Sequence, residues 1–437
     1  IASASQGYTT ESIGLLCLHV QRANPLSEVV ALAFKMLNPQ PSQHGGSRRI
    51  SFFENLRPCG STPSTLKASC AFHRSPPTSR DMSGHAGPRF INAWASKKAC
   101  MTLEQIQYEA EALGPFGVEI KVQFCGLCGS DLHLINADGG YKDFTAYEKG
   151  EPQICGHEVV GKVTGLGSAV SHLKIGETAG IGWQNAACHN CEWCLRGDEQ
   201  LCANVKCTCC EGNKGGFADY IRIEDARFCF SIPEGCDPAA TAPLLCGGQT
   251  VWTPLRTQTK AGDRVGVLGL GGLGNMALKF AGALGCEVTA LSSSASKKEE
   301  AIKNGAHKFI AHADEQEMEA AAATLDFILV TLATQEAIDF TKFFSLLRPR
   351  GTMCFVGMCP PITVDVFTMG FTMHNITTSN TGGRKEILEM LEFCARHKIG
   401  ASIVKRPMAE INEAISDLHT KNVPYRFVMT NEDAAYS

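Results

Sequence analysis

The segment that most constrains this chain is Gly269-Leu270-Gly271-Gly272-Leu273-Gly274, set between an apolar run at 264–268 and a helical pattern at 272–284. A GxGxxG run alone is a weak signal. Strand, glycine turn and helix in that order put a helix N-terminus where a pyrophosphate can sit. Gly269 permits the tight turn, Gly271 lets the backbone approach the phosphates and Gly274 lets the helix pack close to the sheet. A glycine-rich turn without ligand is the alternative. The alternation continues, with strands expected at 287–291, 326–332 and 352–357 and helices at 297–304 and 385–397. That texture predicts a doubly wound parallel sheet covered by helices.

A dinucleotide site that takes NAD places an acid on the ribose about 20 residues beyond the first glycine. Here the second strand ends in Ser292, Ser293 and Ser294, with Lys297 and Lys298 close behind. A carboxylate would repel a 2′-phosphate, whereas hydroxyls and lysines welcome it, so NADP is expected over NAD. A polar surface loop with solvated lysines is the alternative.

Upstream, strands expected at 118–124, 158–165 and 178–182, punctuated by glycines, point to a β-rich unit reaching about residue 245. The chain has 21 Cys, and Cys188, Cys191, Cys194 and Cys202 form C-x2-C-x2-C-x7-C. Four thiolates at that spacing can close around one tetrahedral Zn2+ and leave no open position, which makes a structural site. Disulfides or an iron–sulfur cluster could use the same residues. A catalytic metal needs three ligands and a free corner; Cys128, His157 and Cys246 are the candidates, each ambiguous alone because a single Cys is more often a small buried apolar residue.

Residues 1–98 carry 11 Lys plus Arg against four acids, about +7, leaving about −11 for the rest of a chain whose net charge is −4. No overall basic field is available for a phosphate backbone, so no nucleic-acid partner is expected. Residues 1–89, acid-poor and rich in Ser, read as a transit peptide or as an untargeted disordered extension. No run of 18 apolar residues occurs, so no membrane span is expected. The cysteine usage fits a reducing compartment, cytoplasmic, or a plastid if the leader is a transit peptide.

Taken together, Cys-Gly-Leu-Cys-Gly-Ser-Asp-Leu-His at 125–133, the 156–161 stretch, the four-Cys cluster, 242–248, the glycine loop, Ser292–Ser294 and Tyr425-Arg426-Phe427-Val428 resemble the zinc-containing medium-chain alcohol dehydrogenases. The resemblance is to their cinnamyl alcohol dehydrogenase-like, NADP-dependent branch, and it covers roughly residues 90–432. It implies α/β plus β: a GroES-like β-rich catalytic domain, split in sequence (90–246 and 384–437), with an inserted Rossmann domain at 247–383. It also implies that Cys128, His157 and Cys246 hold a catalytic zinc, with Glu158 beside the metal, Ser130 exchanging a proton with the substrate oxygen and His133 relaying it to solvent. Thr250, Gly269, Gly271, Gly272, Leu273, Gly274, Ser292, Ser293, Ser294 and Lys297 would bind NADP(H), two Zn2+ per chain are implied, and family members are commonly homodimers.

The chemistry is coherent from below, because hydride transfer to an aldehyde creates an alkoxide whose charge a metal stabilises while a hydroxyl supplies the proton. Three departures from the plant lignin enzymes bear on substrate: Gly129 where they carry His, Val205-Lys206-Cys207 without their aromatic, and 378–382 without their Phe. The expected activity is therefore reversible, NADPH-dependent reduction of aldehydes to primary alcohols with broad specificity. A non-catalytic zinc- and NADP-binding sensor and a polyol dehydrogenase on the same fold are the alternatives. Cys207, Cys209 and Cys210 form a further cluster near the presumed pocket, whose only evident property is thiol reactivity.

Overall fold

The computed structural model describes residues 87–334, 336–420 and 425–431. The expectation for a leader at 1–89 falls outside these residues apart from its last three, as does the end of the chain at 432–437.

Strands β1 (Arg89–Ala95) and β2 (Glu104–Ala110) form an antiparallel pair. Next comes β3 (Val118–Gly126), buried along most of both faces; β4 (Val159–Leu166) pairs with one edge and β8 (Tyr220–Ile223) with part of the other. Beyond β4 lie β5 (Thr178–Ile181) and β9 (Cys229–Ser231). A small ribbon of β6 (Gln184–Ala186) and β7 (Lys206–Cys207) stands apart. Between β3 and β4 the chain makes helix α1 (Gly129–Asn136), and after β9 it enters helix α2 (Gly247–Gln258).

From there the pattern is β10 (Arg264–Leu268), helix α3 (Gly272–Ala283), β11 (Glu287–Ser292), β12 (Lys308–Ala311), β13 (Leu325–Val330), β14 (Leu347–Phe355) and β15 (Asn375–Thr378). These six strands are parallel and lie in the order β12-β11-β10-β13-β14-β15. The chain runs outward from β10 on one side, then returns to β13 and runs outward on the other. The crevice at the carboxyl ends of β10 and β13 is thus the switch point of a doubly wound sheet. β14 begins at Leu347, upstream of the expected 352, because Leu347 pairs with Leu325 ahead of a register shift, and Pro349 and Gly351 hide that pairing from a pattern reading.

Helix α4 (Arg384–His397) packs on α2, where Phe393 meets Trp252 at 4.9 Å between ring centroids. The chain then returns to the first sheet: β16 (Ile403–Pro407) lies beside β17 (Arg426–Thr430), which pairs antiparallel with β3 through Val428 and Gly126. One apolar core joins the lobes, running from Phe124, Val160 and Val428 through Leu244, Leu245 and Trp252 to Val265 and Val267.

Candidate metal centre and cofactor cleft

Cys128 caps α1 just past the end of β3, His157 immediately precedes β4, and Cys246 immediately precedes α2. Their ligand atoms and a carboxylate oxygen of Glu158 all lie within 4.8 Å of one another, and all four residues are buried. The organiser is Asp131, in the first turn of α1 and fully buried. Its carboxylate accepts from the backbone N–H of Cys128 and of Gly156 and bonds Nδ1 of His157, each at 2.9 Å. With Nδ1 so engaged, the buried Nε2 of His157 has no hydrogen-bond partner among the described residues.

Glu158 comes this close only because residue 126 is glycine: a Cβ there would stand 2.0 Å from Oε2 of Glu158. Its carboxylate accepts no hydrogen bond among the described residues, although Nη1 of the buried Arg426 stands 3.1 Å from Oε1. Burial pushes the Glu158 carboxyl up to about 8, against the pull of Arg426. A hydrogen bond from Cys246 holds the Cys128 thiol well below its ordinary value, and Arg426 and His157 add to this against the effect of burial. Two thiols, an imidazole nitrogen without a hydrogen-bond partner and a carboxylate held only by its ion pair with Arg426, facing one another in a dry site, are a donor set that suits Zn2+.

Cys188, Cys191, Cys194 and Cys202 also converge, with their four sulfurs within 4.8 Å of one another. The backbone N–H groups of Asn190 and Cys191 bring Cys188 down to about 6, and the backbone N–H of Asn204 donates to Cys202 Sγ at 3.3 Å. Amides aimed at sulfurs stabilise thiolates, as a closed metal site requires. This loop is tied to the start of α4 by the buried Glu199, which accepts from Nε of Arg384 at 2.7 Å.

Ser130 lies in the first turn of α1 near the first cluster. Its hydroxyl pairs with Tyr141 Oη at 3.1 Å, while His133 bonds Asp138 through Nδ1 at 2.5 Å. Ser130 and His133 are not bonded to each other; the ring of Tyr141 lies between them, stacked on His133 at 5.6 Å and 9°. Trp183 meets Tyr141 edge-on at 6.2 Å and His157 at 4.8 Å. An aromatic wall therefore stands beside His157, built from positions other than the three where the plant lignin enzymes carry theirs.

In the cleft, Gly269 adopts φ +98°, and a Cβ at Gly274 would strike the Gly269 carbonyl at 1.9 Å. A Cβ at Gly271 would meet nothing, which leaves that approach open to a ligand. Gly272 and Leu273 start α3, and Thr250 on α2 turns its hydroxyl back to the Cys246 carbonyl at 2.9 Å. Ser292 is buried at the end of β11, while Ser293 and Lys297 are exposed. Ser294 caps the next turn by accepting from the backbone N–H of Ser296. Arg426 joins the two regions: a Cβ at Gly272 would stand 3.3 Å from its side chain, its guanidinium faces Glu158, and its buried Nε has no hydrogen-bond partner among the described residues.

Sequence reasoning assigned no role to Asp131, Tyr141, Trp183 or Arg426. Asp131 carried a signal, an acid three residues after a candidate ligand at a helix start. The other three depend on which strands become neighbours.

Residues 114–234 match the alcohol dehydrogenase GroES-like domain, and residues 272–396 match the zinc-binding dehydrogenase family. The chain is 36% identical to aldehyde reductase AdhA of Synechocystis over 78% of its own length and 99% of that protein. Among solved structures it resembles a cinnamyl alcohol dehydrogenase of Sorghum bicolor, with TM-score 0.72, 34% identity and coverage of 80% of this chain and 99% of that one. A cinnamyl alcohol dehydrogenase from Helicobacter pylori, complexed with NADP(H), has TM-score 0.69 and 29% identity over 80% of this chain and 99% of that one.

Proposed function

Because the chain belongs to the zinc-containing medium-chain alcohol dehydrogenases, in their cinnamyl alcohol dehydrogenase-like branch, we propose that this oxidoreductase reduces aldehydes to primary alcohols with NADPH, reversibly and with two Zn2+ per chain. The observation that carries the reading is the convergence of Cys128, His157 and Cys246 within 4.8 Å, with His157 Nε2 buried and without a partner.

Cys128, His157 and Cys246 would hold the catalytic zinc, which when bound acts as a Lewis acid toward the substrate oxygen. Asp131 sets the tautomer and direction of His157. Reduction adds hydride at the carbonyl carbon and a proton at its oxygen. Ser130 holds that proton, and its hydroxyl shares a hydrogen bond with Tyr141 Oη. His133, in the last turn of α1, and Asp138, just beyond it, are the more exposed pair through which the proton would be replaced. Trp183 and Tyr141 shield the site from water and favour a planar substrate. Cys188, Cys191, Cys194 and Cys202 would hold the structural zinc.

NADP(H) is supported by the serines at 292–294, by Lys297, and by the absence of any acid from 292 to 298. A homodimer through the cofactor lobes is supported by Val366, Phe367 and Phe371, which are exposed on the short helix Val366–Thr372 beside the edge strand β15. No helix among the described residues is long and apolar enough to cross a membrane.

The test is oxidation of NADPH and of NADH by the purified protein with aliphatic and aromatic aldehydes, run beside Cys246→Ala with a metal count. We expect turnover with NADPH, lost in the variant together with one of two zinc ions. Bound zinc and NADPH without turnover on any aldehyde would instead favour the sensor reading.

A further inference from the structure

Cys207, Cys209 and Cys210 have no part in that chemistry. Cys207-Thr208-Cys209-Cys210 is a C-x-x-C segment folded as a tight turn, in which the backbone N–H of Cys210 points to the Cys207 carbonyl at 3.5 Å. Such a turn holds its first and last Cα atoms within about 7 Å, the span a disulfide needs. The side chains of Cys207 and Cys210 interact directly. Exposure separates the three thiols: Cys207 is half-exposed, while Cys209 and Cys210 are buried. A reagent arriving from solvent therefore meets Cys207 first, and Cys210 is the neighbour placed to resolve the adduct.

The turn is also wired to the metal centre. The backbone N–H of Thr208 donates to the Trp183 carbonyl at 2.8 Å, and its hydroxyl donates to the Gly182 carbonyl. Cys209 Sγ lies 3.7 Å from His157 Nδ1, and Trp183 packs edge-on against the same ring.

We propose that Cys207 and Cys210 form a reversible disulfide with a low-molecular-weight disulfide as oxidant, and that this bond alters turnover by displacing the turn that buttresses Trp183 and His157. In the first step the Cys207 sulfur, having given up its proton, attacks the small disulfide, forming a mixed disulfide and expelling one thiolate. In the second, the Cys210 sulfur loses its proton, attacks the Cys207 sulfur and expels the other. The pair gives up two electrons and two protons, and the oxidant becomes two thiols. The bond fixes both side chains in one disulfide geometry, and the turn that carries Thr208 and Cys209 adjusts to it. The bond itself does not depend on the proposed activity; its effect on turnover does.

The zinc-loaded full chain is treated with oxidised glutathione, denatured, alkylated and cut with trypsin, which releases residues 207–214 with all three thiols on one peptide. We expect that peptide to carry a single alkyl group, at Cys209, and to be lighter by two hydrogens, with zinc content unchanged. Aldehyde turnover should fall several-fold and recover with dithiothreitol, while Cys207→Ser should form no internal disulfide and keep its turnover under oxidation. Three alkyl groups after oxidation, or a bond involving Cys209, overturns the assignment. A Cys207→Ser variant inactivated as fast as wild type while zinc is released would show that the oxidant acts on the zinc thiolates. A disulfide that forms without changing turnover overturns the coupling to the site. Should no aldehyde be turned over at all, the alkyl count still decides whether the bond forms.

Discussion

Asp131 and His157 are joined at 2.9 Å through Nδ1, and the same carboxylate holds the backbone of Cys128 and of Gly156. One buried side chain thus sets the direction of two candidate ligands that lie 29 residues apart in sequence. We expect Asp131→Asn to fold and to keep the four-Cys metal. It should lower affinity for the second zinc or lower kcat by about 10–100-fold, the usual effect of removing the carboxylate behind a metal-bound imidazole. Zinc titration against a chelator, alongside the pH profile of kcat, separates this from a general loss of structure.

Arg426 stands between Glu158 and the glycine loop. Arg426→Gln leaves a buried carboxylate without its partner, a change that costs about 3–5 kcal/mol when the remaining charge cannot be relieved. With its carboxyl already pushed up to about 8, Glu158 is largely protonated at neutral pH, so the loss should fall below that range. Adding Glu158→Gln should restore much of the melting temperature without restoring NADPH affinity. A double variant that recovers both would show that Arg426 serves the ion pair alone.

Phe367 and Phe371 are 76% and 78% exposed on one short helix beside an unpaired strand edge. We expect Phe371→Arg to shift the protein toward monomer in sedimentation velocity, with both zinc ions retained. A wild type that sediments as a monomer would remove the dimer proposal.

Asp326, at the start of β13, accepts from the backbone N–H of Arg264 at 3.0 Å, from its guanidinium at 2.9 Å and from Arg348 at 2.8 Å. Burial pushes its carboxyl up, but these bonds outweigh burial and hold it below the ordinary value of an aspartate. A carboxyl depressed in the folded state binds fewer protons folded than unfolded between its two values. Its stabilisation is therefore complete above the unfolded value and is lost as pH falls through the folded one. Asp326→Asn should melt about 2–4 °C below wild type near neutral pH, the shift for roughly 1 kcal/mol in a domain of this size, and the gap should close in acid. A gap independent of pH would mean that the amide disturbs strand packing instead.

Much of this protein was legible in its sequence because the signals are local. The glycine loop, the alternation of strand and helix after it, and the spacing of Cys188, Cys191, Cys194 and Cys202 each depend on residues close in the chain, where backbone geometry alone limits the outcome. Resemblance, rather than spacing, singled out Cys128, His157 and Cys246. Their convergence rests on β3, β4 and α2 meeting in one core, which no local pattern encodes. Arg426 reaches Glu158 only because β17 returns to pair with β3, closing a contact across 268 residues of chain. Tyr141 and Trp183 become a wall beside His157 in the same way. Residue types and short spacings determined which chemistries this chain could carry. Strand pairing and burial decided which side chains face one another, because removal from water gives an unpartnered nitrogen or carboxylate its reactivity.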